Sequence, residues 1–305
     1  MPTERPLGIR VDVDTHVGMR DGVPRLLEVF AATGSKATVY LSMGPDRAGR
    51  ALLNLLKPGF LTKMRRSSAV SVYGLRTVLS GTLLPSRPIA TAFPEIARRV
   101  AEQGHETGVH AWDHRTWQDR LLQLPAERIH RELDRGRAAY RQIFGTEPPT
   151  FAAPAWLSND VSLLHEETFG LRYGSDCRGL EPFLPSIGGR VLTTPQVPST
   201  LPTLDEHLGW QAATAAEYFD AMLELAETQA WPVLTVHAEL EGGPYAEALG
   251  AFLRAAPKRG LRPVALGTLL DQRRAAGPLP VHEVVHAPVE GRHGVLSHQG
   301  RELAA

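Results

Sequence analysis

The stretch Leu7-Gly8-Ile9-Arg10-Val11-Asp12-Val13-Asp14-Thr15 decides the fold. It reads as a buried strand that delivers two aspartates to its C-terminal end. Working outward, Val23 to Ala32 has helical spacing and stops at Gly34. Ala37 to Leu41 is β-branched and aromatic, a second strand. Glu95 to Gln103 reads as a helix after Pro94, and a short strand then leads to His110. Ala126 to Phe144 is a long helix closed by Gly145, Thr150 to Ala153 is extended, and Ser158-Asn159-Asp160 caps a helix running to Gly170. Leu171 to Gly174 and Arg190 to Thr193 read as strands, and Thr214 caps a helix through Gln229. Pro232 to His237 is a buried strand, Ala246 to Ala256 a helix, Arg262 to Ala265 the last strand and Leu266 to Ala275 the last helix.

This alternation, repeated about seven times, predicts an α/β fold of parallel strands with helices outside, in a barrel or an open sheet. Asp12, Asp14, His110, Asp176 and His237 all fall at strand C-terminal ends, where α/β barrels build their active sites. The barrel is expected over residues 1–276, with a C-terminal tail over 277–305. The Pro-, Gly- and His-containing tail is expected to be loosely held.

The chain of 305 residues carries 33 Lys+Arg and 33 Asp+Glu. A zero sum argues against a generic nucleic-acid binder. The single cysteine, Cys177, rules out an intrachain disulfide. No run approaches the ~18 apolar residues of a spanning helix, and the polar start does not read as a secretion signal, so the cytoplasm is the expected location.

The zero sum hides an asymmetry. From Arg47 to Pro94 there is no acidic residue but eight basic ones, leaving 25 basic against 33 acidic residues elsewhere. Ala48, Ala51, Leu52, Leu55 and Leu56 form one helical stripe, with Arg47, Arg50, Asn54 and Lys57 on the other side. Lys63, Arg65 and Arg66 are interleaved with Phe60, Leu61 and Met64. One reading is an amphipathic helix packed on the barrel with a solvated basic face. The reading favoured by the length of the acid-free run is an insertion at about 46–88 that lies on an anionic membrane surface.

The chemistry concentrates in three places. Asp12 and Asp14 stand two residues apart on a strand, so they share a face at roughly 6–7 Å. His110 and His114 are spaced i, i+4 and would face one way on a helical turn, as metal ligands require. With one carboxylate they make a two-His, one-carboxylate set that leaves a coordination position open for catalysis. His237 closes the strand Val233-Leu234-Thr235-Val236 and reads as a general acid, with Glu239 and Glu241 either orienting it or solvated. Nitrogen and oxygen donors suit a divalent ion, Zn2+ foremost, with Co2+, Ni2+, Mn2+ and Fe2+ open.

Val-Asp-Val-Asp-Thr, the His110/His114 pair and Leu-Thr-Val-His, in this order, resemble the NodB-type polysaccharide deacetylases, carbohydrate esterase family 4. The resemblance implies a NodB-like distorted (β/α) barrel. A narrower likeness runs through Gly22-Val23-Pro24-Arg25-Leu26-Leu27, Val109-His110-Ala111-Trp112-Asp113-His114, Ser175-Asp176-Cys177-Arg178-Gly179 and Val236-His237-Ala238-Glu239. Together with the basic insertion after Gly44-Pro45-Asp46, it points to the branch that deformylates undecaprenyl-phosphate-linked 4-deoxy-4-formamido-L-arabinose for lipid A modification and polymyxin resistance. It implies that Asp14, His110 and His114 hold the metal, Asp12 is the base, and His237 protonates the leaving amine. It also implies that Asp176 tunes this pair from behind and that the Ala155 backbone N–H faces the oxyanion. Arg47, Arg50, Lys57, Lys63, Arg65 and Arg66 would meet lipid phosphate or the inner face of the bacterial inner membrane.

The family pattern carries an arginine two residues before Pro154, contacting the base, and this sequence has Ala152 there. Two other functions stay open: an N-deacetylase of a different aminosugar, and a non-catalytic binder of lipid-linked sugar. The missing arginine supports the binder, and the intact Asp12 and His237 argue against it.

Overall fold

A computed structural model describes residues 4–47, 86–289, 292 and 294–303. Strand β1 (Arg5–Val13) is the axis of the fold and is buried from Pro6 onward. After one turn of π-helix at Gly18–Gly22, helix α1 (Val23–Thr33) runs back, stopped by Gly34 in the left-handed conformation. Gly22 is required here, because a Cβ would fall 2.0 Å from the Ala238 carbonyl oxygen. Strand β2 (Thr38–Leu41) follows, then α2 (Pro94–Glu102), β3 (Glu106–Val109), α3 (His114–Arg120) and α4 (Ala126–Phe144). Next come β4 (Thr150–Phe151), α5 (Asp160–Glu167), β5 (Tyr173–Gly174), β6 (Leu184–Ile187) and β7 (Arg190–Val191). The turn α6 (Leu204–His207), α7 (Ala215–Thr228), β8 (Val233–His237), α8 (Ala246–Ala255), β9 (Leu261–Val264), α9 (Leu266–Ala275), β10 (Val281–Ala287) and β11 (Leu296–Leu303) complete the chain.

Seven strands pair in parallel, in the order β5-β4-β3-β2-β1-β8, with β9 on the first half of β1. Between β5 and β8 the sheet does not close by direct pairing. The segment 195–201 fills the gap: Val197 N–H donates to Gly174, and Thr200 and Leu201 N–H donate to Val233. The result is the distorted barrel that the resemblance implies. Leu7, Ile9, Val11 and Val13 of β1 join the main apolar cluster with helices α1, α7 and α8. Gly8, Arg10 and Asp12 therefore point the other way, into the barrel. Its floor is Leu266, Leu269 and Leu270 of α9, packed with Tyr40, Tyr173 and Val233.

Two expectations change. The tail is not loose: β10 and β11 pair antiparallel, and β10 pairs with β6, making a second sheet in the order β11-β10-β6-β7. Arg178 N–H donates to the Ser297 carbonyl at 2.8 Å and Gln299 N–H returns to Arg178 at 2.8 Å, so backbone pairing holds the tail to the barrel. The His110/His114 pair does not lie on a helical turn. His110 follows β3, Ala111 sits at φ 61° in the left-handed region, and His114 opens α3 behind the capping residue Asp113. A strand-to-helix corner, rather than helical periodicity, faces the two imidazoles together.

Arg50, Lys57, Lys63, Arg65 and Arg66, and most of the basic insertion, lie outside the described residues.

Candidate active site

Asp12 and Asp14 at the end of β1, His110 after β3, His114 on α3 and His237 at the end of β8 line one cavity of about 170 Å3. Parallel pairing explains the convergence. Asp12 is in register with His237 on one side and Tyr40 on the other, and Leu41 with Val109. The C-terminal ends of four strands thus open at one mouth.

One carboxylate oxygen of Asp14 and one ring nitrogen from each of His110 and His114 all lie within 4.8 Å of one another. His110 Nδ1 donates to the Ala152 carbonyl at 2.7 Å. That bond fixes the ring and aims Nε2 at Asp14 Oδ1, 3.3 Å away. Both atoms are buried without a hydrogen bond. A buried ring nitrogen and a carboxylate oxygen that face each other without a hydrogen bond suit a cation between them, and His114 Nε2, 3.3 Å from Asp14 Oδ2, completes a donor set that could hold one. Glu239 holds Asp14 from behind, accepting the N–H groups of Asp14 at 2.9 Å and Thr15 at 2.6 Å. Burial pushes the Asp14 carboxyl up, but the neighbouring His114 and His110 imidazoles hold it well below the usual carboxylate range.

Asp12 is held by a residue that sequence reading missed. Arg10, fully buried inside the barrel, donates from Nε to Asp12 Oδ1 at 2.7 Å and from Nη2 to Oδ2 at 2.8 Å. Its Nη1 donates to the Ser175 carbonyl at 2.6 Å, and its guanidinium lies over the rings of Tyr40 and Trp156. Burial raises the Asp12 carboxyl and the Arg10 charge overcomes it, so the carboxyl titrates below its ordinary value. Arg10 thus places a guanidinium on Asp12 from within β1, where the family pattern would bring it from position 152. The signal was the strand's own alternation, which puts Arg10, Asp12 and Asp14 on one face.

His237 stands across the cavity. Glu241 accepts its backbone N–H at 2.7 Å, which fixes the end of β8. Neither glutamate after His237 is solvated, but only Glu241 braces His237; Glu239 braces Asp14 and Thr15 instead. Burial alone would lower the His237 imidazole, but the charges of Asp205, Asp14, Glu241 and Asp12 raise it to about 9. Asp205 was not singled out from the sequence and comes from the turn α6.

The remaining expected residues are placed as follows. Ala155 lines the cavity, with its backbone at φ 54°. Asp176 is fully buried and accepts from Ala153 N–H and Gln196 Nε2, both at 2.8 Å, bracing the segment that carries Ala155. Burial raises its carboxyl and, still further, that of its neighbour Glu166. Arg47 forms an ion pair with Asp113, the cap of α3, beside a separate hollow lined by Trp112, Arg128 and Arg135.

With this geometry in place, relatives can be compared. Residues 7–174 match the polysaccharide deacetylase family over more than half of the chain. The chain belongs to that family. Within it, a protein of Shewanella sediminis (strain HAW-EB3) named as a 4-deoxy-4-formamido-L-arabinose-phosphoundecaprenol deformylase, ArnD, is 38% identical over 96% of this chain and 94% of its own. An ArnD-named protein of Wigglesworthia glossinidia brevipalpis is 32% identical over 93% and 98%. Among solved structures, a Mycobacterium smegmatis protein described as a polysaccharide deacetylase aligns with TM-score 0.62 at 19% identity, over 92% of this chain and 94% of that one. The peptidoglycan deacetylase PdaC of Bacillus subtilis aligns with TM-score 0.52 at 13% identity, over 90% and 96%. These structural likenesses carry the fold. As a member of the family, the protein is a hydrolase of C–N amide bonds.

Proposed function

We propose that the protein removes the N-formyl group from undecaprenyl-phosphate-linked 4-deoxy-4-formamido-L-arabinose, releasing formate and the free 4-amino sugar. The chemistry rests on one observation: a two-His, one-carboxylate donor set flanked, in one cavity, by an ionised aspartate and a histidine raised to about 9. The substrate rests on likeness over nearly the whole length of ArnD-named relatives.

Asp14, His110 and His114 would hold the divalent ion, with Zn2+ the best match to one oxygen and two nitrogen donors. The ion supplies Lewis acidity, making water acidic enough to ionise near neutral pH and polarising the formyl oxygen. Asp12 takes the proton from the attacking water. Arg10 keeps it charged at working pH, and its bidentate grip fixes the carboxylate orientation. The Ala155 backbone N–H would face the developing oxyanion. His237 is protonated at neutral pH and gives its proton to the sugar nitrogen as the C–N bond breaks, so the amine departs neutral. A water is consumed, and formic acid and the amine are the products.

The basic, acid-free stretch after Arg47 supports contact with anionic headgroups at the inner face of the membrane, where the lipid-linked sugar resides. Among the described residues no helix is long and apolar enough to cross a membrane.

The test is product analysis. The Zn2+-loaded protein is incubated with matched 4-formamido and 4-acetamido lipid-linked sugars and the products are followed by mass spectrometry. Formate release well above acetate release is expected. Preferred acetate release would overturn the formyl assignment, and release of neither would return the protein to sugar binding.

A further inference from the structure

Arg292, which falls between β10 and β11, stands in the wall of the candidate site's cavity. Its place is secured by the tail's attachment to the barrel. Besides the Arg178–Ser297 backbone pairing, Ser158 N–H donates to Ser297 Oγ at 2.9 Å, and His286 Nε2 bonds the Ser158 carbonyl at 2.7 Å. The wall carries three carboxylates and three imidazoles besides. Asp12, Asp14 and Asp205 line it, and Arg292 is the lining residue with a permanent positive charge.

The guanidinium is oriented with part of its donor set left over. Nε donates to the buried Glu206, Nη2 lies 3.5 Å from Thr203 Oγ1, and Asp205 Oδ2 is 3.6 Å away. Its central carbon stands 4.7 Å from the centroid of the Trp156 ring. A guanidinium stacked on an indole keeps its N–H groups in its own plane, free to meet an oxyanion edge-on. Among the described residues Nη1 has no protein partner.

We infer that Arg292 binds the phosphate of the sugar's glycosyl phosphodiester and so selects phosphate-linked over neutral formamido-sugars. The inference rests on the deformylase reading. The reacting amide and the anomeric phosphate sit on opposite sides of one sugar ring. An amide at the Asp14/His110/His114 cluster therefore projects its anion across the same cavity. Asp12 is already paired with Arg10 and Asp14 would be neutralised by the ion, so Asp205 is the carboxylate that would repel the anion if Arg292 were absent. Arg, with a planar fork, suits a phosphate better than Lys would.

The competing role is structural: Arg292 could serve only to neutralise Asp205 and Glu206. Two soluble substrates separate the roles, a short-chain alkyl phosphodiester of the formamido-sugar and the corresponding neutral alkyl glycoside. The full-length, Zn2+-loaded protein is compared with Arg292→Met and Arg292→Lys, each checked for metal content and near-UV circular dichroism. Arg292→Met should raise KM for the phosphodiester roughly 10- to 100-fold, the worth of a hydrogen bond between charged groups, with the smaller share of the loss in kcat. Its loss in kcat/KM on the phosphodiester should exceed that on the neutral glycoside by at least about tenfold, and Arg292→Lys should fall between. Equal losses on both substrates in both variants would overturn the inference in favour of the structural role, as would no loss on either. Should the wild-type protein release formate from neither substrate, the deformylase reading itself fails, an outcome distinct from equal losses.

Discussion

Replacing Arg10 by methionine isolates the feature on which the proposed role of Asp12 as base depends. The side chain is 0% exposed and Asp12 is 3% exposed, so solvent does not take over when the guanidinium leaves. At about 4 Å and an effective dielectric near 20, such a pair is worth about 4 kcal/mol of Coulomb energy. Removing one partner of a buried pair costs about 3–5 kcal/mol, because the other charge is left unpaired. Methionine keeps most of the volume, so the cavity contribution is small. The Asp12 carboxyl, freed from Arg10, rises under burial and the nearby Asp14 charge. A protonated Asp12 accepts nothing, and activity at neutral pH falls. A double-mutant cycle reads this directly, with urea unfolding of the metal-free Arg10→Met, Asp12→Asn and doubly substituted proteins. The double variant should be more stable than Arg10→Met alone, since neither charge is then orphaned, with a coupling energy of about 2 kcal/mol or more. Formate release should fall in Arg10→Met, and its acidic limb should move to higher pH. Additive losses, with coupling below about 0.5 kcal/mol, would show that the pair is a packing contact and refute the tuning of Asp12.

Three further outcomes follow from the same geometry. His110→Ala should lose metal and activity together, whereas Asp12→Asn should retain metal and lose about 10²–10⁴ in kcat, checked by metal analysis alongside kinetics. The His237 imidazole, raised to about 9, is protonated below that pH and loses its proton as pH rises through it, so it should titrate near 9 by NMR in the metal-free protein. Because Asp205 is the largest carboxylate influence on it, Asp205→Asn should shift that midpoint, and the alkaline limb of activity, to lower pH. Truncation after Gly277 removes the β10–β11 hairpin and the Arg178–Ser297 pairing, and should lower the melting temperature by several degrees in calorimetry rather than leave it unchanged.

The barrel was legible because its strands are apolar, short and separated by helices with clear caps, and because polar residues recur at strand ends. The convergence of Asp14, His110 and His114 was legible by residue type and order, although the corner at Ala111 that unites the histidines carries no periodic signature. Arg10 is harder to read, since a strand's alternation shows which residues share a face but not whether that face lines a barrel. Asp205 and Arg292 reach the cavity from segments far along the chain, beside residues with no local pattern. The tail hairpin depends on pairing with Leu184–Ile187, about a hundred residues earlier, which no window around Val281 contains.

X-ray absorption spectroscopy at the zinc edge, on protein loaded with Zn2+ and on His110→Ala and His114→Ala, is the most direct measurement of the centre. Two imidazoles with oxygen donors and no sulfur are expected in the wild type, with one imidazole fewer or no bound zinc in each variant. A spectrum unchanged by both substitutions would place the ion elsewhere and contradict the metal centre on which the hydrolysis depends.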